Sequence, residues 1–356
     1  MLRETNSYNS YRSYRCGLQV AETSMGVMTK KQATIIFNPM SGRAGRRADD
    51  VRQMIEMLAG RGIVAKSSAT TGPGTATHQA AAAVTAGVDI IISYGGDGTL
   101  NEVIQGVAGS KTPLAVWPGG TANVVARELR VPFDIVGLAE MISAGKTHRI
   151  ALGLAKAGSE FTGNGAERHR NDLTEISRPS VESGALDSAR GSPGRYFVMM
   201  AGIGLDASIA RSVNHNLKRR AGELAYWLSG LKHLFQWRAE PFTIEVDGRV
   251  YEAAFALVGN GKGYGGGMMM TPGAKLDQPW FEIYILPPLS SNFAYLRALG
   301  ACMRGKPEIE GVSLIRGTRV KANSNREPWV EADGELLGPL PMTFEVVPDA
   351  LSIIVP

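Results

Sequence analysis

The sequence predicts an α/β chain in two parts: a doubly wound α/β domain, then a mostly antiparallel, β-sandwich-like domain. Three observations carry this. From Ala33 to Ser143, short apolar runs alternate with segments of helical period. Two of those runs end in glycine–threonine loops that open directly into helices, at Tyr94 to Glu102 and Pro118 to Asn123. After about Arg149 the alternation stops, and runs of period two with tight turns replace it.

Taken in order, Ala33-Thr34-Ile35-Ile36-Phe37 reads as a buried strand. Asp49 and Asp50 open a helix with Val51, Met54, Ile55 and Leu58 on one face, and acids suit its N-terminus. Ala76 to Ala86 is an alanine-rich helix, and Val88 to Ser93 is a second buried strand. In Thr99 to Val107, Leu100, Val103, Ile104 and Val107 recur at helical spacing. Pro113 to Trp117 is a short strand, Val124 to Leu129 a short helix, and Asp134 to Ser143 another helix. In the second half, Phe242 to Val246, Asp247-Gly248 and Arg249 to Tyr251 form a hairpin with a tight turn. Phe281 to Leu286, Val312 to Val320 and Met342 to Val347 alternate as half-buried strands. Helical stretches at Ala221 to Gln236 and Ser291 to Met303 interrupt them.

The 356 residues suffice for two domains. The expected division is a disordered arm over 1–30, an α/β domain over 31–148 and a mostly β domain over 149–356, with a C-terminal segment that packs back on the first domain. Gly158 to Gly194 is rich in Gly, Ser, Arg and Glu and is expected as an exposed, disordered insert. No run approaches the roughly twenty apolar residues of a membrane span. Met1 to Lys30 has no apolar stretch long enough for a signal peptide, and a start at Met25 or Met28 would remove most of it. Cys16 and Cys302 make a structural disulfide improbable, which fits a cytoplasmic protein. The net charge of +5 is too weak and too spread out to indicate nucleic acid. It suits a nucleotide or an anionic membrane surface.

The two glycine loops carry the chemistry. A strand, a glycine turn and a helix in that order make an anion site, because glycine lets the backbone approach a phosphate and the helix start presents unpaired N–H groups. Gly96, Gly98 and Thr99 supply such N–H groups, and the hydroxyls of Thr99 and Thr121 can donate to phosphate oxygens. Asp97 would repel a bare phosphate, so a cation between them points to a magnesium nucleotide, with Asp97 as its partner through water. Two such loops at adjacent strand ends would converge on one crevice. Asn38 is equally readable as a strand-end turn with Pro39, and Glu102 as compensation of a helix dipole.

These motifs resemble the diacylglycerol kinase catalytic-domain family, which includes soluble bacterial lipid kinases and the sphingosine and ceramide kinases. Asn38-Pro39-Met40-Ser41-Gly42 is similar to its first nucleotide loop, Gly95 to Thr99 with Asn101 and Glu102 to its signature loop, and Gly120-Thr121-Ala122-Asn123 with Arg127 to its second. Ala201 to Ala207 and Asp333-Gly334-Glu335 resemble later family segments. The resemblance implies a nucleotide site built from Asn38, Ser41, Thr70, Gly95, Gly96, Asp97, Gly98, Thr99, Asn101, Glu102, Gly120, Thr121 and Asn123. It implies catalysis by Asp97, Asp333 and Glu335, with Glu335 preferred as proton acceptor and Asp333 near the magnesium and the phosphate. A structural magnesium site of the family falls on Lys275, Gln278 and Trp280, and Gln278 stands where the family often has an acid. Gly261 to Gly267 with Met268 to Met270 reads either as a lipid-facing rim or as a strand connection with core methionines.

The implied activity is transfer of the γ-phosphoryl group of ATP, with magnesium, to a diacylglycerol-like or sphingoid-like hydroxyl. The implied partners are a lipid alcohol and a transiently contacted membrane surface, with Lys218, Arg219 and Arg220 as candidate basic contacts; a homodimer stays open. Two other readings compete. An NAD kinase also carries a GGDG loop. A catalytically silent nucleotide or lipid sensor would be marked by loss of Asp97 or of both Asp333 and Glu335, and all three acids are present.

Overall fold

A computed structural model describes residues 30–40, 46–158, 194–204, 240–263, 269–289, 292–326 and 328–356. Residues 159–193 of the expected insert, the helix at Ala221 to Gln236, Lys218 to Arg220, Ser41 and Met268 all lie outside the described residues.

The first half is the expected α/β arrangement. Strands β1 (Lys31–Phe37), β2 (Ile63–Ala69), β3 (Ile90–Gly95) and β4 (Leu114–Pro118) form a parallel set in the order β2-β1-β3-β4. Helices α1 (Arg47–Ala59), α2 (Thr75–Thr85), α3 (Asp97–Val107), α4 (Val124–Glu128) and α5 (Ile135–Ala144) connect and cover them. The chain steps outward from β1 to β2 and then back past β1 to β3. Right-handed crossovers therefore put α1 on one face and α2 and α3 on the other. The packing agrees, because α1 meets α5 and α2 meets α3. Ile35, Ile36, Ile91, Ile92 and Leu114 are fully buried between these layers. Gly106 makes the α2–α3 contact possible: a Cβ there would lie 2.8 Å from the Cβ of Ala80. β2 (IVAKSSA) went unread in the sequence because it is an edge strand, largely polar and exposed.

The second half is a sandwich. The sheet of the first half continues through β16 (Met342–Ile354), β13 (Arg319–Asn323), β8 (Phe242–Val246) and β9 (Arg249–Ala253). On this sheet β5 (Thr147–Ala157) pairs with β16, and β6 (Arg195–Phe197) with β5. The facing six-stranded sheet runs β12 (Ser313–Gly317), β11 (Phe281–Leu286), β10 (Phe255–Gly259), β7 (Met200–Ile203), β14 (Trp329–Ala332) and β15 (Glu335–Pro339). Helix α6 (Asn292–Met303) follows β11. Phe197, Ile244 and Phe344 from one sheet meet Ala201, Val258, Phe281 and Ile283 from the other in a hydrophobic core. The Phe197 and Phe281 rings stack at 5.7 Å.

Two strand expectations change. Val312 to Val320 is not one strand but two: β12 and β13 part at Thr318 and enter different sheets, because Asp247 takes the Thr318 and Arg319 N–H groups and turns the chain. Met342 to Val347 is only the start of a 13-residue strand. β16 runs antiparallel along β5 with a register shift between Val347 and Leu351, then pairs parallel with β4 through Ile353 and Leu114. One strand thus joins the two halves into a continuous sheet.

Candidate active site

The two glycine loops leave the C-terminal ends of neighbouring β3 and β4, where an open parallel sheet offers its crevice. They touch. The Gly119 N–H donates to the Gly95 carbonyl at 2.8 Å. A Cβ on Gly120 would lie 2.6 Å from the Cα of Gly96, and a Cβ on Gly95 would meet the Thr99 side chain at 2.5 Å. Nothing stands within 4 Å of a Cβ position on Gly98, so this side of the loop is open. Gly96 is extended and caps α3, whose first residue is Asp97.

Asp97 bridges the loops. Its Oδ1 accepts the Val124 N–H at 2.8 Å, at the start of α4. Its carboxylate also accepts its own backbone N–H, so it caps the start of α3 and reaches the second loop at once. Burial raises its pKa, against the N–H groups of Val124, Asn123, Asp97 itself and Val125. Asn123 holds the second loop from within: at φ 47° its Oδ1 accepts from Gly120 N, and its Nδ2 donates to Gly120 O, each at 2.8 Å. Thr121 is exposed at the mouth.

Asn38 and Thr70 end the adjacent strands. Met40 N–H donates to Asn38 Oδ1 at 2.9 Å, the turn the sequence allowed, and Thr70 N–H reaches the Phe37 carbonyl at 2.8 Å. Glu102 Oε2 accepts the Ala76 N–H in the first turn of α2 at 3.2 Å, so its carboxylate serves a helix start other than its own. Asn101 is buried and its Oδ1 accepts from Gln105 at 3.0 Å.

Asp333-Gly334 is the two-residue turn of the β14–β15 hairpin, with φ of 47° and 84°. Asp333 is locked into the β6–β7 connection: its carboxylate accepts from Val198 N at 2.6 Å and from Met199 and Met200 N at 3.0 Å. Burial pushes its pKa up to about 6, those N–H groups oppose the rise, and the Asp97 charge adds to it. The last influence ties the hairpin to the glycine loops. Glu335 opens β15 and is ion-paired with Arg195 of β6. Burial raises its pKa, Arg195 lowers it, and the nearby Glu102 charge raises it further.

Four contributors were missed in the sequence. Arg47 is buried beneath the second loop, donates to the Gly119 carbonyl and lies 4.2 Å from the centroid of the Tyr94 ring. Tyr94 stacks on Trp117 at 3.7 Å and donates to Asp50 at 2.5 Å. Arg195 and Gln105 complete the set. Each looks like an ordinary surface residue, and its partner is remote in sequence.

Lys275, Gln278 and Trp280 lie in the connection between β10 and β11. Gln278 N–H closes a turn onto the Lys275 carbonyl at 3.0 Å, and the Arg316 guanidinium covers the Trp280 ring at 4.2 Å. The buried acid nearby, Glu282, takes the Gly273 N–H at 2.6 Å. Among the described residues no group of three or more His, Cys, Asp or Glu side chains could hold a metal. Cys302 is buried and free.

Both halves of the chain are similar to known proteins. Residues 32–155 match the diacylglycerol kinase catalytic domain, and residues 199–355 match the YegS C-terminal NAD kinase beta sandwich-like domain. The second description explains why fold alone does not separate a lipid kinase from an NAD kinase. The chain is 30% identical over 321 residues to the diacylglycerol kinase of Bacillus subtilis strain 168, covering 88% of this chain and 93% of the relative. It is 28% identical to the diacylglycerol kinase of Staphylococcus aureus strain bovine RF122, covering 88% and 89%. The crystal structure of a diacylglycerol kinase from Bacillus anthracis strain Sterne superposes with a TM-score of 0.67 at 24% identity, covering 92% of this chain and 97% of that one.

Proposed function

We propose that this chain, which belongs to the diacylglycerol kinase family, transfers the γ-phosphoryl group of ATP to the hydroxyl of a diacylglycerol-like or sphingoid-like lipid. The observation that carries the reading is the meeting of three parts at one crevice. Gly96 and Gly120 are in contact, the α3 helix start opens beside them, and Asp333 lies within electrostatic reach of Asp97.

Phosphoryl transfer asks a protein mainly for positioning and for charge stabilisation. The N–H groups of Gly96, Gly98 and Thr99 suit the triphosphate, with the Thr99 and Thr121 hydroxyls beside them. Asn38 and Thr70, at the ends of β1 and β2, complete the nucleotide contacts. The lipid hydroxyl attacks the γ-phosphorus, the bond to the bridging oxygen breaks, and ADP leaves. Glu335 accepts the hydroxyl proton as the new bond forms. Burial makes it a stronger base than an exposed glutamate, and Arg195 keeps it charged and aimed.

The donor set suits magnesium. It offers only hard oxygen ligands, and the mutual repulsion of Asp97 and Asp333 is what a divalent ion would offset. Magnesium takes one or two carboxylates plus phosphates and water, so a larger acid cluster is not required. Asp97 would hold it through water, with Asp333 beside it, and the ion would supply neutralisation of the triphosphate charge.

The acceptor lives in a bilayer, while no helix among the described residues is long and apolar enough to cross one. The reading includes transient contact with a membrane surface. The test offers purified protein labelled ATP with vesicle-borne diacylglycerol, a sphingoid base or NAD, with and without excess chelator. Label in a lipid, lost with chelator, supports the reading; label in NAD alone sinks it.

A further inference from the structure

We propose that Gln105 is a positioning residue: it clamps the strand segment that supports both hairpin carboxylates to α3, the helix that starts at the phosphate loop. The inference rests on the kinase reading above for its effect on turnover, but its geometry stands by itself.

The Gln105 side chain imitates a strand neighbour. Its Nε2 donates to the Tyr196 carbonyl at 3.0 Å, and its Oε1 accepts the Tyr196 N–H at 3.0 Å. The same Nε2 reaches Asn101 Oδ1 at 3.0 Å, which fixes the amide against its own helix. A side-chain amide carries both an acceptor and a donor, and the two bonds together fix direction as well as distance.

The clamped residue is the second of a six-residue strut, Arg195 to Met200. One position before it, Arg195 holds Glu335. Two to four positions after it, the N–H groups of Val198, Met199 and Met200 hold Asp333. The far end of the strut is tied separately, because buried Asn260 donates to the Val198 carbonyl at 2.7 Å and to Ala151 at 2.9 Å. α3 carries Gly98 and Thr99 at its start and Gln105 two turns later. The clamp therefore helps set the distance from the phosphate loop to the acids, together with Asn101 of α3, whose side chain donates to Glu335. A misplacement of about 1 Å can cost roughly a hundredfold in rate.

The variant is Gln105→Met, which keeps the length and removes both bonds; Gln105→Asn, too short to span them, is the milder second. Two readouts are taken on the full chain. By hydrogen exchange, the Val198, Met199 and Met200 amides should exchange about tenfold faster or more, with the melting temperature nearly constant. In lipid phosphorylation, kcat should fall roughly tenfold to a hundredfold while KM for ATP moves less than about threefold. Combined with Arg195→Ala, the loss in kcat should be less than the product of the two single losses, because both changes act on one strut. Unchanged exchange and unchanged kcat in either variant overturn the clamp. A parallel rise in KM and fall in melting temperature reduce Gln105 to general stability and overturn it too. If the native protein phosphorylates no lipid, the kinase reading fails by itself, and the exchange measurement still decides on the clamp.

Discussion

Gly120→Ala tests the contact between the two loops. A methyl at this position would sit 2.6 Å from the Cα of Gly96, against 3.4 Å for ordinary contact, and 3.1 Å from Asn123 Oδ1. The obstacle is backbone, so no side-chain rotation relieves it; the loops must part by about 0.8 Å. Overpacking of this kind costs about 1–3 kcal/mol, a drop of several degrees in melting temperature. The larger effect is on turnover. The loops jointly define the triphosphate position, and a shift approaching 1 Å is worth on the order of a hundredfold. Steady-state kinetics and thermal melting of the purified variant read both quantities. Gly98→Ala is the control, because nothing lies within 4 Å of its added methyl. It should melt like the native protein yet bind ATP more weakly, since the methyl points into the space left for phosphate. Native kcat and KM in Gly120→Ala would refute the shared-crevice reasoning.

Further outcomes follow from the acids. Asp97→Asn should stay folded, since an amide oxygen can still accept from Val124, and should lose roughly a hundredfold or more in rate, about 3 kcal/mol at the barrier; native turnover would remove Asp97 from the mechanism. Asp333 has a folded pKa of about 6, above its unfolded value of 3.8, so the folded state holds the extra proton between these pH values. Stability contributed by this group should therefore fall as pH rises from about 4 to about 6, and Asp333→Asn should flatten that slope in a melting series. Glu335→Gln should depress single-turnover transfer while ATP affinity holds, whereas Asp333→Asn should also weaken the magnesium dependence. A fully active Glu335→Gln beside a dead Asp333→Asn would reverse the two roles.

Much of the first half was readable because its signals are local. The buried strands are short β-branched runs, and the loop chemistry lies in consecutive residues, so Asp97, Thr99 and Gly120 stand out from neighbours alone. The rest depends on partners far along the chain. Nothing near Gln105 announces Tyr196, 91 residues away, and Arg195 reaches Glu335 across 140 residues. Arg47 reads as a polar helix start, and only the tertiary fold drives its guanidinium under Gly119. Glu102 shows the same limit: its position predicts service to its own helix, but it holds the start of α2. β16 was cut short because Pro348-Asp349 imitates a turn, and the strand instead absorbs the pair at its register shift.

The central claim is that ATP's terminal phosphate leaves this crevice on a lipid hydroxyl. The most direct measurement incubates the native protein with γ-labelled ATP, magnesium and a total lipid extract, then identifies every labelled product. The account predicts label in a phosphorylated lipid, absent when Asp97→Asn replaces the native chain. Label confined to inorganic phosphate or to NADP, with none in any lipid, would contradict it.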